Sequence, residues 1–390
     1  MSAVIVDVAR TANTKSWSGS FNLTHPLRLG GAAVAGLIAR NAVEPGEVED
    51  VIIGCANQEG AAGGNVGRLT ALSAGLPASV PGQSVNRLCA SGLQAIASAS
   101  HRIAAGEATL LVAGGSESIS VVQDKMNRHL AQDTDLQKRV PGVYMPMLQT
   151  AEVVAERYGI GREVQDAYGV RSHLRAAAAQ RAGLFDEEIV AVETTTLVGR
   201  AAEALTVVST TVAADEGIRA DATIEKTGAL RPVVRGGTVT AGNASGFADG
   251  AAVALVMDER TAEQRGLEPL GRFVSYAVAG CAPDEMGIGP ALAVPLLLER
   301  AGLSIDDIDV WELNEAFASQ VLYCRDALGI PDERLNVNGG AIAIGHPYGS
   351  SGARMVGHAL RETRRRGGRY AIATMCVGGG QGAAALLEAF

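Results

Sequence analysis

The sequence predicts a layered α/β protein built from two similar halves. Three observations carry this. Short β-rich runs alternate with helical stretches near both ends of the chain. Small residues are abundant, with 48 glycines in 390 residues and 47% hydrophobic content, and small residues let helices and sheets pack closely. A faint internal repeat relates residues 85–115 to residues 337–380. The length also exceeds one ordinary core, which favours two fused units.

The elements follow in order. Residues 4–8 (VIVDV) form a β-rich run. A helical stretch over 27–42 stops near Pro45-Gly46, and residues 51–55 read as a second short strand. Residues 66–74 read as a helix before Gly75, and residues 91–105 as an alanine-rich helix stopped by Gly106. A third strand over 109–113 runs into Gly114-Gly115. Alternation at this spacing predicts a largely parallel sheet with crossover helices. From 118 to 242 the pattern loosens. "QDKMNRHLAQDTDLQKRV" is charged and weakly periodic, and one long helix is expected over 150–182. This segment reads as an inserted lobe. Its pattern leaves open a plain solvated lobe and a lobe for substrate binding or oligomer contacts. Alternation then resumes, with strands at 251–257, 271–278 and 310–313 and helices at 289–301 and 316–328. Residues 370–375 form a last strand.

Both copies of the repeat run apolar-Asn, loop, Ser-Gly, helix, strand and glycines. The repeat places Cys89 at the start of a helix in one half. It places His346 just before the equivalent helix in the other.

Composition excludes several classes. The net charge of −9 argues against nucleic-acid binding, which needs a basic surface. A small anionic ligand remains compatible, held by a local basic patch or a helix N-terminus. The five cysteines are Cys55, Cys89, Cys281, Cys324 and Cys376, with no C-x-x-C pair. That sparse, odd set predicts neither a disulfide framework nor a metal site, and points to a reduced, cytoplasmic compartment. "MSAVIVDVAR" reads as a first strand rather than a signal peptide. No stretch approaches the roughly 20 apolar residues of a membrane span.

Four stretches could carry chemistry. Cys89, in "VNRLCASG", sits at the first turn of an expected buried helix, where a helix N-terminus lowers a thiol pKa. Alone it also fits an inert core cysteine. His346, in "NGGAIAIGHPYGSSGAR", is the one histidine of six in a glycine-rich loop. Cys376 ends a strand and runs into the glycines of "CVGGGQG". A strand end facing such a turn is a usual site location in α/β sheets. Too few residues follow for a dinucleotide fold, so free backbone N–H groups there suit a carbonyl oxygen better. Asn314 and Glu315, in "WELNEAFAS", either cap a helix or face a polar site.

Together these stretches resemble the thiolase family. The likeness runs from "VDVARTA" to "CVGGGQG" and rests on "NRLCASGLQAI", "GEATLLVAGGSESIS", "TVTAGNASGFADGAA", "NEAFAS", "GHPYGSSGAR" and "CVGGGQG", in that order. Two positions depart from it: Tyr348 stands where family members often carry Leu or Ile, and Ala12 where Arg-Thr-Pro is usual.

The resemblance implies a five-layered αβαβα sandwich of two similar halves with an inserted loop lobe. Residues 1–117 with 246–268 would form the first half, 118–245 the lobe, and 269–390 the second half. It implies interconversion of two acyl-CoA thioesters with a 3-ketoacyl-CoA and CoA, within fatty acid metabolism. CoA and acyl-CoA enter as substrates, with no permanently bound cofactor and no metal. Cys89 would be the acylated nucleophile, His346 its base and Cys376 the second acid/base. One oxyanion site would combine His346 with a water held by Asn314. The other would use the backbone N–H groups of Cys89 and Gly378. Ser245 and Arg219 match CoA-contact positions, as do Ala316 and Phe317. Met147 and Met286 match the acyl pocket. A homodimer or homotetramer is implied. Two rivals remain: a decarboxylating condensing enzyme of the ketoacyl-synthase type, and an inactive acyl-CoA-binding protein. The length of the acyl chain is left undetermined.

Overall fold

The computed structural model describes residues 2–199 and 205–390. The first half contains strand β1 (Ala3–Arg10), helix α1 (Pro26–Arg40), β2 (Val51–Gly54), α2 (Val66–Ser73), β3 (Gly82–Val85), α3 (Ser91–Ala104) and β4 (Leu110–Ser118). The chain then leaves the sheet and forms a lobe with α4 (Met147–Arg157), α5 (Arg162–Arg181) and a β5–β6 hairpin (Val192–Val198 and Thr206–Val212). It returns as β7 (Ala248–Asp258). The second half contains β8 (Gly271–Gly280), α6 (Gly289–Ala301), β9 (Val310–Leu313), α7 (Ala318–Leu328), α8 (Tyr348–Arg365), β10 (Tyr370–Val377) and β11 (Gln381–Ala389).

The main strands run in the order β3-β2-β4-β7-β1-β8-β11-β10-β9. A short antiparallel seam, Val4 opposite Arg272 and Ile5 opposite Gly271, joins the halves. On each side of that seam the order repeats. β2-β4-β7-β1 matches β9-β10-β11-β8, with the same parallel and antiparallel pairs. The internal repeat is thus real, and it equates α3 with α8 and β4 with β10.

Side-chain alternation builds the five layers. Along β7, Ala252, Ala254 and Val256 face the central layer of α3 and α8. Ala251, Val253, Leu255 and Met257 face α1 and α2 outside. Both faces are buried, so the strand reads as one apolar run. In the second half, α6 and α7 cover the outer face through Val294, Leu297, Val321 and Leu322. The order is helix, sheet, helix, sheet, helix, as the resemblance implies.

Several expectations need correction. The sheet is mixed: among the described strands, β2–β3, β2–β4 and β9–β10 are parallel and the other pairs antiparallel. The lobe lets β7 return antiparallel to β4 without a crossover helix. Residues 370–375 are not the last strand. Gly379 and Gly380, with φ of 78° and 86°, turn the chain into β11, which pairs back on β10. Glycine adopts such φ values without a Cβ clash. The long lobe helix is two helices, broken at Gly159 and Gly161. β3 and the β5–β6 hairpin were not anticipated, since their short, polar or threonine-rich runs carry little apolar signal.

Buried charges fasten the lobe to the body. Arg10 pairs with Asp215 at 2.8 Å and Glu188 at 2.9 Å. Glu188 also lies 2.6 Å from His358 on α8. In an apolar interior such groups need one another, because an unpaired charge there is costly.

The central layer is held by backbone contact. A Cβ on Gly115 would lie 1.9 Å from the Gly349 carbonyl oxygen, and one on Gly92 2.4 Å from the same atom. Neither site can take a methyl group without moving α8. Gly115→Ala is therefore expected to destabilise the fold by on the order of 1–3 kcal/mol. The check is the thermal unfolding midpoint; an unchanged midpoint contradicts this account of the crossing.

Candidate active site

Cys89 does not open a regular helix turn. It occupies a tight 3-10 turn, Leu88–Ala90, immediately before α3. Leu88 carries a φ of 46°, a conformation that costs a non-glycine residue energy and persists only when neighbours enforce it. Here they do. The Leu88 N–H donates to Asn86 Oδ1 at 2.8 Å, and Asn86 Nδ2 donates to the Ala56 carbonyl at 3.0 Å. Ser91 Oγ donates to the Leu88 carbonyl at 2.6 Å.

His346 comes from the other half. Its N–H donates to the Gly246 carbonyl at 3.0 Å, so the "GNASGF" loop holds the histidine backbone. The ring Nδ1 lies 2.6 Å from Ser351 Oγ, and that hydroxyl lies 3.2 Å from the Pro347 carbonyl. When Ser351 donates to the Pro347 carbonyl it accepts Nδ1–H, and this is the tautomer that a base at Nε2 requires. Nε2 then carries a lone pair, and Asn314 Nδ2 sits 3.4 Å from it. Among the described residues, Asn314 Oδ1 is buried without a partner. Burial, and then Arg354, hold the imidazole pKa down to about 3.

Cys376 lies near the end of β10, 1% exposed. Burial pushes its thiol well above the ordinary value, and nearby Cys89 adds to this. Cys89 keeps part of its surface open to the cavity, yet its sulfur is ringed by protein. Desolvation raises its pKa to about 11, opposed by hydrogen bonds from the backbone N–H groups of Gly378 and Cys89 itself. The expected lowering by a helix N-terminus is therefore overridden, because desolvation disfavours the charged form more strongly.

The groups share one cavity of about 300 Å³, lined by Cys89, His346, Cys376, Ser245, Met147, Met286, Ala316, Phe317 and Tyr348, among others. Gly378 borders it: a Cβ there would meet Leu88 at 3.2 Å and Met147 at 3.5 Å. Asn314 stands behind His346. Ser245 donates its N–H to the Ala316 carbonyl at 3.0 Å, pairing two expected contact segments. Arg219 is not in this cavity. It lines an adjoining hollow with Lys15, Trp17 and His173 that shares Gly246 and Phe247.

Glu315 does not face the site. It accepts from Tyr168, Ser172, Asn336 and the Ile342 N–H at 2.6–3.1 Å, fastening the lobe to the loop before His346. Nor is Asn314 a helix cap, since α7 begins at Ala318 with Phe317 as its cap. Sequence reasoning missed Glu117. This buried carboxylate accepts from the N–H groups of Ala56, Asn57 and Gly349 at 2.8–3.0 Å, clamping the loop after β2 to the first turn of α8. An acidic residue inside the apolar run of β4 was the available signal. It also missed Gln123, Leu148 and Phe247 in the cavity wall. Those are ordinary residues that only the fold brings there.

With His346 unprotonated and both thiols protonated, the resting site is an uncharged pair of thiols beside a base. Cys89 should therefore react slowly with iodoacetamide near neutrality. Its rate is expected to climb about tenfold per pH unit through pH 9–10, because the thiolate fraction grows until the pKa is passed. Peptide mass spectrometry at Cys89 reads this. A plateau near pH 8 contradicts the raised pKa.

Comparison with known proteins agrees with this geometry. The thiolase N-terminal domain family matches residues 3–260, and the thiolase C-terminal domain family matches residues 267–389. The chain is 44% identical over 389 residues to a 3-ketoacyl-CoA thiolase of Bacillus subtilis, covering 99% of each. It is 41% identical over 388 residues to a peroxisomal 3-ketoacyl-CoA thiolase of Arabidopsis thaliana, covering 99% of this chain and 83% of that one. The crystal structure of the Bacillus anthracis acetyl-CoA acetyltransferase superposes with a TM-score of 0.89 at 38% identity, over 100% of this chain and 99% of that one.

Proposed function

This chain belongs to the thiolase family and is an acyltransferase that works on CoA thioesters, and we propose how its residues divide that work. The observation that carries the reading is the convergence of two thiols and an unprotonated imidazole, drawn from both halves, on one apolar cavity.

In the cleavage direction, His346 Nε2 takes the Cys89 proton as the sulfur attacks the ketone of a 3-ketoacyl-CoA. The charge on that oxygen develops where preorganised donors stabilise it. The C2–C3 bond then breaks, leaving an acyl group on Cys89 and the enolate of acetyl-CoA. The Cys376 thiol gives that enolate its proton. Burial keeps Cys376 protonated and ready for this step. The Cys376 thiolate next takes the proton of free CoA, whose sulfur attacks the acyl group. Cys89 leaves and recovers its proton from His346. Every proton is returned, and the synthetic direction runs the same steps backwards.

The backbone N–H groups of Cys89 and Gly378 form one oxyanion site. The other combines His346 with a water on Asn314, supported by the unpartnered Asn314 Oδ1. Ser245, Ala316 and Phe317 take the pantetheine arm, with Arg219 further out towards the adenine end. Met147 and Met286 face the acyl group. Residues 118–245, inserted in the first half, act as the CoA-binding lobe.

We place the protein in the cytoplasm, on its sparse cysteines and a bacterial relative that covers the same length; the plant relative marks the peroxisome as the competing placement. Among the described residues, no helix is long and apolar enough to cross a membrane. A homodimer or homotetramer is supported by the free edge of β3 and by Leu69 and Leu72, exposed on the adjoining α2. An open strand edge invites pairing with a second chain. Light scattering is expected to give a dimer or tetramer mass, and a monomer overturns this.

Incubation with acetyl-CoA should add one acetyl group to the wild type, read by intact mass, and none to Cys89→Ala. An equal mass shift in Cys89→Ala removes Cys89 as the nucleophile. Cys376→Ala should still acylate but lose carbon–carbon bond formation by about 100-fold or more. Full condensation activity in that variant removes Cys376 from the mechanism.

A further inference from the structure

The cavity contains an aromatic wall to which the roles above assign nothing. Tyr348 is the first residue of α8. Its ring stands edge-on to His346 with centroids 5.3 Å apart, and edge-on to Phe247 at 6.4 Å. Phe247 in turn meets Trp17 edge-on at 5.4 Å. The Tyr348 hydroxyl lies 3.4 Å from Gln123 Oε1. The ring is thus packed against two aromatic neighbours, with its tip beside Gln123. Swinging it towards His346 would displace a buried ring.

Part of the wall is softer. Met147 and Met286 are unbranched, and methionine adapts to irregular shapes. Space is also short. Ligand cavities run from about 300 to 1,000 Å³, and this one, at about 300 Å³, must hold the reacting carbonyls and the end of the pantetheine arm. Little remains for an alkyl tail.

We propose that Tyr348 determines acyl-length specificity: its ring closes the cavity beside Cys89, so short 3-ketoacyl groups fit and extended alkyl chains do not. The proposal rests on the thioester chemistry assigned above and narrows its substrate class. A wall of this kind discriminates steeply, because each methylene gained or lost in a fitted pocket changes kcat/KM by about 10–200-fold.

The test measures kcat/KM for CoA-dependent cleavage of acetoacetyl-CoA and 3-ketooctanoyl-CoA by the wild type, Y348L and Y348F. The wild type should favour the shorter substrate. Y348L, which removes the ring, should raise the long-to-short ratio by about tenfold, whatever happens to absolute rates. Y348F keeps the ring and should hold that ratio within about twofold of wild type. A wild type that favours 3-ketooctanoyl-CoA overturns the proposal. So does a Y348L ratio equal to wild type, or a Y348F shift as large as that of Y348L. Acetylation of Cys89 by acetyl-CoA is read in the same preparations. If it proceeds while the ratio fails, only the assignment of Tyr348 falls. If the wild type does not acetylate, the underlying reading of the site falls instead.

Discussion

Everything at the site depends on how closely two backbones approach at the centre of the molecule. The Gly349 carbonyl at the start of α8 lies where a Cβ on Gly115 or Gly92 would have to be. The Glu117 carboxylate completes the contact by accepting N–H groups from both sides of the crossing. Cys89 leads into α3 and His346 leads into α8, so this one crossing sets their relation. Larger residues there would part the two helices and, with them, the Cys89 thiol and the His346 imidazole.

The same packing sets the proton states. A site assembled at the centre of five layers is poor in water, and desolvation penalises every charged form. It raises the thiols and lowers the imidazole. An isolated helix N-terminus would favour a Cys89 thiolate, but here it loses to burial. The resting site stores neutral groups instead, and charge develops only as bonds change. Preorganised N–H groups act most strongly under those conditions. The Leu88 turn, held by Asn86 and Ser91, positions the Cys89 N–H, and the turn after β10 brings the Gly378 N–H to the same sulfur.

Much of the architecture was legible in the chain. β7 and β10 are buried on both faces, so their residues are mostly apolar. α1, α3 and α6 have clear glycine or proline boundaries. β3 was not legible, because "GQSV" is short and polar. β11 was hidden because its preceding glycines look like an ending rather than a turn. The parallel character of the sheet was misjudged for a related reason. Strand-helix alternation says which elements exist, but the lobe between β4 and β7 changed the direction in which the chain came back.

The sequence by itself singled out the candidate reacting groups. Cys89, His346 and Cys376 each sit beside small residues or glycine, and the repeat assigns Cys89 and His346 to opposite halves; local pattern made them candidates, and six motifs in order gave them roles by resemblance. Only the tertiary structure decided how those groups are charged and oriented. The Ser351 hydroxyl on the His346 ring, the Glu117 clamp and the Tyr348 wall against His346 all join residues through contacts that no local pattern encodes. Proton affinity and cavity shape follow from burial and distance, and both come into being only when the two halves close on each other.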